Sequence, residues 1–465
     1  MSSSKIPNRA PKAKPSDILR RIWALSLPNI LSNITVPLLM LADTAMAGRM
    51  PTADSIAAVA IGAAITQFVI GIWSLLRMGT TGFTAQAWGA CDVRALLRQL
   101  TSGSIIALSV GLLLILLRPL YVAPAAALLQ AGADMHLPEA QTYLHYSFLG
   151  APAALLLYVY NGWLIGVQRM KLVMSVSIAC NLLNILFSYL LAFPGKMGVG
   201  GLALGTVLAQ YTAVLLLALG ALRYEGRILR HLTREYLWHP ETLVRYFHVG
   251  KYLLIRTLLL QAVMLSFIRY GGAIGVTRLA ANSLLMQLFT LFSYFMDGLA
   301  YAAEALVGEA IGGRKFGHLR LIIRVTLQVG FVVALVTSIL YAVFPRPLLE
   351  LLTDKQEVLK LALSDSFLMA AVPIFSYLAF LWDGILVGAT DSKSMSIGVA
   401  GGAVSYFIIA ETTATIGSGT MLWFAFLNYL IVRSFIEYYL GMRRIRALSQ
   451  EVHDTRHSSY TYRLK

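Results

Sequence analysis

The sequence predicts an all-α integral membrane protein, with twelve transmembrane helices in two parallel six-helix lobes. Three observations carry this expectation. Hydrophobic residues make up 58% of the chain and charged residues 13%, against about 45–50% and about 25% in soluble domains. Apolar runs long enough to cross roughly 30 Å of hydrocarbon recur from end to end, leaving no stretch able to fold as a sizeable soluble domain. Two patterns of the first half also return in the second. Tyr160-Asn161-Gly162-Trp163-Leu164-Ile165-Gly166 through Lys171 reappears 222 positions on as Trp382-Asp383-Gly384-Ile385-Leu386-Val387-Gly388 through Lys393, with both glycines, a leucine and the lysine coinciding. Gln86-Ala87-Trp88-Gly89 is answered 223 positions on by Glu309-Ala310-Ile311-Gly312. Six helices per half give both halves the same orientation, so they are parallel repeats about an axis along the membrane normal, with a cavity between them.

Residues 1–16 are polar, basic and interrupted by Pro7, Pro11 and Pro15, and read as a disordered cytoplasmic tail. The first lobe occupies 17–222, with spans expected near 22–47, 55–76, 100–117, 143–167, 172–191 and 199–222. A charged cytoplasmic linker, 223–245, separates it from the second lobe, 246–442, whose spans are expected near 247–267, 279–310, 322–344, 361–387, 396–413 and 421–440. Residues 443–465 form a basic cytoplasmic tail. The net charge of +16 does not point to nucleic acid, because the bases lie between spans, where they set topology. Most of the 38 Lys and Arg fall in the tails and in the connections after even-numbered spans, which places both termini in the cytoplasm. Lys251, Arg256 and Arg433 are the bases inside spans. Cys91 and Cys180 suggest neither a disulfide framework nor a thiolate metal site. The histidines are scattered, and no metal cluster is expected. Phosphate-loop, His-Glu-x-x-His and Gly-x-Ser-x-Gly motifs are absent, which removes the usual signatures of an ATP-driven pump or a membrane hydrolase. No enzyme activity and no cofactor are expected.

Asp43 is the one charge of the long apolar run from Ser26 to Gly48. An ionised aspartate in hydrocarbon costs roughly 2.5–3.5 kcal/mol, so it either reaches the headgroups or a structural base, or faces a watery cavity where it can take and release protons. Tyr143, Asn161, Asn184 and Thr206 lie in four different spans of the first half and need hydrogen-bond partners there. They form either a network around Asp43 or polar glue between helices. Asn181 and Asn184, three apart, face the same side, so at least one of them lines the interior. The second half places Asp297, Glu304 and Asp383 within spans, with Lys251 and Arg256 as counter-charges on the helix that opens it. Asp297 and Glu304, seven apart, share a helix face that points into the second lobe. Glu411 has no evident partner.

Several stretches together resemble the multidrug and toxic compound extrusion (MATE) transporters, and within them the DinF-like branch. In chain order they are Leu27 to Asn33 with Asp43-Thr44-Ala45, Arg77 to Ala87, Gly162 to Gln168, Arg256 to Gln261, Asp297 to Ala305, and Asp383 to Thr390. The resemblance implies two six-helix lobes that alternate between outward-open and inward-open states, exporting organic compounds in exchange for protons or sodium. It implies a coupling role for Asp43 and a polar surround of Tyr143, Asn161, Asn184 and Thr206. It also implies a bacterial inner membrane. Where the fifth-helix pattern has an aspartate four residues after the asparagine, this chain has Ser188. Losing that acid weakens a sodium site, which wants several oxygen ligands, and favours a proton as coupling ion over Na+. The expected function is proton-coupled antiport of small organic, amphipathic cations by a monomer in the lipid bilayer. The alternatives are a sodium-coupled drug antiporter and a flippase for a lipid-linked precursor, which should carry several cavity-facing Arg or Lys.

Overall fold

The computed structural model describes residues 14–50, 54–120, 138–230, 239–416 and 419–461. Among them, twelve helices are long and apolar enough to cross a membrane: α1 (Pro15–Ala47), α2 (Ser55–Gly89), α3 (Val93–Leu116), α4 (Pro138–Gly166), α5 (Met170–Ala192), α6 (Gly198–Leu229), α7 (Pro240–Ile274), α8 (Val276–Gly312), α9 (Phe316–Val343), α10 (Ser366–Gly388), α11 (Ser392–Thr412) and α12 (Gly419–Gln450). Two short helices, Pro345–Glu350 and Gln356–Ser364, join α9 to α10, and the last helix continues to Thr461.

Most helices outrun the spans read from hydropathy, because polar turns at the interface stay helical after the apolar run has ended. Pro15 and Ser16 belong to α1, and the stretches read as linker and basic tail are partly helical, while residues 1–13 and 231–238 lie outside the described residues. The largest difference is at 77–89, outside every expected span. Its arginine, threonines and glycines lower its hydropathy, yet it forms the C-terminal part of α2 and is largely buried. Pro28 and Pro37 both stand inside an unbroken α1, where each lacks the amide that would bond the carbonyl four residues back.

The repeat is legible in three dimensions. In the first half α2 packs on α4, α3 on α4, α5 on α6 and α1 on α5; in the second, α8 packs on α10, α9 on α10, α11 on α12 and α7 on α11. The helix ends repeat too. Cys91, Gln168, Arg314 and Thr390 all have positive φ, between 53° and 63°, and each ends a helix by the same device. The amide one residue further on bonds the carbonyl five residues back: Asp92 to Ala87 at 3.0 Å, Arg169 to Leu164 at 2.8 Å, Lys315 to Ala310 at 2.8 Å, and Asp391 to Leu386 at 2.9 Å. This is the left-handed helix stop usually given to glycine. Its use by four other residue types at repeat-related places is structural support for the duplication.

The lobes meet chiefly through α1 and α2 on one side and α8 on the other, with smaller contributions from α3, α4, α7, α9 and α10. Contact is closest at the face where α1 begins and α12 ends. A Cβ on Gly89 would sit 2.1 Å from the Glu309 carbonyl, and one on Gly312 would sit 1.9 Å from the Gln86 carbonyl. Only glycine permits that approach, and these are the glycines of the second repeated motif.

Candidate transport site

Between the lobes lies a cavity of about 540 Å³, as the repeat predicts. Its walls are built from matched positions with unmatched chemistry. Ser74 of α2 faces the space where its counterpart in the repeat is Asp297 of α8, Asn161 of α4 is matched by Asp383 of α10, and Tyr158 by Phe380. At the face where the lobes are closest, the Glu309 carboxylate accepts from Arg21 and Gln168, and the Gln86 amide donates to the Gly388 carbonyl at 2.9 Å. These bonds stitch α1, α2, the turn after α4, α8 and α10 together beneath the cavity.

The acids of the second lobe are held by arginines. Arg77 of α2 donates to Glu304 of α8 across the lobe boundary, with the shortest distance 3.0 Å, and its guanidinium lies 4.2 Å from the centroid of the Tyr301 ring. Glu304 therefore does not point into its own lobe, as its shared face with Asp297 suggests; it fixes one lobe to the other. Asp383 accepts from both Arg256 of α7 and Arg433 of α12, and Arg433 also reaches the fully buried Glu437 at 2.9 Å. Arg256 is thus a counter-charge, and Lys251 is not. Lys251 is exposed, its ammonium 5.0 Å from the Tyr252 ring centroid, because five residues of helix turn it roughly 140° away from Arg256. Asp297 also lines the cavity, within electrostatic reach of Arg77, Arg256, Asp383 and Glu304, but among the described residues it has no hydrogen-bonded or ion-paired partner. Glu411 accepts from the Tyr270 hydroxyl at 2.9 Å on the exposed surface. Reading the sequence alone missed Arg77, hidden by the low hydropathy around it, and Glu437, four residues after Arg433 and so on its face.

The polar residues of the first lobe fall into three places. Asp43 stands seven residues beyond Val36, the outermost α1 residue lining the cavity, so about 10 Å further along the helix. Its Oδ1 is buried without a hydrogen bond among the described residues. Tyr143 of α4, packed on Gly62 of α2, is close enough to interact with the Asp43 charge. Asn184, Ser188 and Thr206 bond one another instead, with the Asn184 amide 3.2 Å from the Thr206 hydroxyl and the Ser188 hydroxyl 3.0 Å from Asn184 Oδ1. They hold α5 to α6, where a Cβ on Gly205 would meet Ser188 backbone at 2.4 Å. Asn181 is the asparagine of α5 that faces the cavity, and it donates to Thr35 of α1 at 2.7 Å. Asn161 faces the cavity with Oδ1 buried and unpartnered among the described residues. Nor do the described residues gather three or more His, Cys, Asp or Glu side chains that would hold a metal ion.

The family description MatE matches residues 28–190 and 253–437. The chain belongs to the MatE family. It is 35% identical over 419 residues to DNA damage-inducible protein F of Escherichia coli (strain K12), covering 89% of this chain and 90% of that protein. It is 26% identical to a probable multidrug resistance protein NorM of Photorhabdus laumondii, covering 81% and 83%. The fold is similar to that of a MOP superfamily transporter from Pyrococcus furiosus, at 18% identity and TM-score 0.81 over 94% of this chain and 99% of that one. It is similar also to the Vibrio cholerae MATE transporter VcmN in its bent form, at 19% identity and TM-score 0.82 over 94% and 99%. The protein is thus a multi-pass membrane transporter of a multidrug-efflux family and not an enzyme.

Proposed function

We propose that this MATE transporter is a proton-coupled antiporter that exports amphipathic organic cations by alternating access, from a bacterial inner membrane with both termini cytoplasmic. The observation that carries the reading is the charge balance of the cavity. Arg77 and Arg256 are each bonded to a carboxylate, whereas Asp297 stands at the wall without a bonded partner. The lining thus holds three carboxyls, Asp297, Glu304 and Asp383, against the two arginines, together with the aromatic walls of Tyr158, Tyr301 and Phe380, which suit a cation of mixed polarity. The same pairing argues against a flippase for a lipid-linked pyrophosphate, since no arginine there is free to meet one. In this reading, with both termini cytoplasmic, the tight lobe contact lies on the cytoplasmic face and closes the cavity inward.

Coupling is assigned to Asp43. Sodium requires several oxygens at once, but Asn184, Ser188 and Thr206 spend theirs on one another and make no bond to Asp43. A lone carboxyl serves a proton. Protonation removes the charge from the outer part of α1, whose Leu38, Met40 and Leu41 are exposed, and lets that segment bend at Pro37 into its lobe and narrow the cavity. The test is reconstituted transport of a fluorescent cation with proton and sodium gradients imposed separately. Uptake driven by the proton gradient alone is expected. Uptake that follows only the sodium gradient would overturn the coupling assignment.

A further inference from the structure

A second cavity, of about 740 Å³, lies outside the lobe interface, between α9 and α12. Both helices pack on α10, which contributes Tyr377 to the lining. Its polarity changes along its length. Arg320 and Arg324 occupy the first turns of α9, and Arg446 lies near the end of α12 at the same face of the protein. Deeper in, the lining becomes Leu327 and Phe331 on α9 and Tyr438 on α12. Phe331 and Tyr438 are each 43% exposed, so the groove is open to its side, where the surrounding lipid lies. None of its lining residues is acidic. Arg320 donates to the Ser449 hydroxyl at 3.2 Å, and no ion pair engages any of the three arginines among the described residues.

We infer that this groove binds an anionic glycerophospholipid from the leaflet at the face where α1 begins, with its phosphate among Arg320, Arg324 and Arg446 and an acyl chain along Leu327 and Phe331. The gradient of polarity has the direction of a lipid in the bilayer, with charge at the helix ends and hydrocarbon toward the middle. Clustered bases between spans at the membrane surface attract acidic headgroups in this way. The groove is also not a by-product of the repeat. At the related positions of α3 the first lobe has Leu97 and Thr101, uncharged and buried, so the three-arginine rim belongs to the second lobe alone.

The test uses the full chain in a neutral detergent, titrated with dioleoylphosphatidylglycerol, with dioleoylphosphatidylcholine, or with inorganic phosphate, and bound lipid counted by native mass spectrometry. Phosphatidylglycerol is expected to be retained at least tenfold more tightly than phosphatidylcholine, with millimolar phosphate unable to displace it. Each base near the membrane surface contributes about 1 kcal/mol, or roughly fivefold in affinity. Arg320→Gln, Arg324→Gln and Arg446→Gln together should then weaken retention on the order of 100-fold. If that triple variant does not fold, Arg446→Gln alone, on an exposed residue, should cost about fivefold. Equal retention of the two lipids, or retention of phosphatidylglycerol unchanged in the variants, would overturn the assignment. Displacement by millimolar phosphate would overturn it too, by showing a site for soluble anions.

Discussion

The two lobes share a backbone plan and divide the chemistry. Where the first has Ser74, Thr81 and Asn161, the second has Asp297, Glu304 and Asp383 at the repeat-related positions. The first supplies Arg77 where the second has Ala300, and Arg77 closes the pair with Glu304. One lobe therefore presents a lone carboxyl far from the cavity, at Asp43, while the other concentrates acids and bases at the cavity wall. In the reading proposed here, the first lobe responds to the proton and the second sets the electrostatics that a cation meets. Because the charge exchange at Arg77 and Glu304 runs across the boundary, it also sets how the lobes are held in this state.

The boundary pair gives the largest expected effect. Both side chains are little exposed, at 14% and 2%, and removing one partner of such a pair strands the other at a cost of roughly 3–5 kcal/mol. Glu304→Gln should thus lower the thermal midpoint in detergent and the transport rate together. Glu411→Gln, which loses one exposed bond to Tyr270, should change both little. The reverse ranking would show that Glu304 is not what ties the lobes. A smaller and more selective effect is expected at Asp297. Since it has no bonded partner among the described residues, Asp297→Asn should leave stability unchanged while weakening binding of a fluorescent monocation about tenfold, the equivalent of roughly 1.4 kcal/mol. Isothermal titration of the purified variant measures this, and an unaltered affinity for the cation would remove the negative wall from the account.

How far the sequence discloses this division depends on what each residue needs in order to be read. Twelve spans and a duplicated half follow from hydropathy and two short matches, because burial in hydrocarbon leaves a compositional trace along the whole chain. The repeated glycines are legible for a related reason: Gly89 and Gly312 stand where opposing backbone approaches, a constraint that no other residue meets. Partners are another matter. Arg77 and Glu304 are 227 positions apart, and no periodicity joins them. Asn184 and Asn181 are indistinguishable by spacing, yet one is spent between α5 and α6 and the other faces the cavity. Ser188 illustrates both sides. Its departure from the family pattern is plain in the sequence, but only the packing shows that it is fully buried against Gly205 and bonded to Asn184. Installing an aspartate there would disrupt a helix contact before it restored an ion site.

The central claim is that one carboxyl in the first lobe links protons to a cavity charged by the second. Ligand affinity measured across pH, at fixed ionic strength and with sodium exchanged for a large inert cation, tests it in wild type and in Asp43→Asn. As pH falls, Asp43 takes a proton, α1 is released to bend and the cavity narrows, while Asp297 separately loses the charge a cation meets. The account therefore predicts affinity that is indifferent to sodium and declines with acid through a titration step that belongs to Asp43, beside a second contribution from Asp297. Asp43→Asn should remain folded and inserted, lose coupled export, and lose that titration step. Binding that depends on sodium but not on pH, or an acid-dependent decline that persists unaltered in Asp43→Asn, would contradict it.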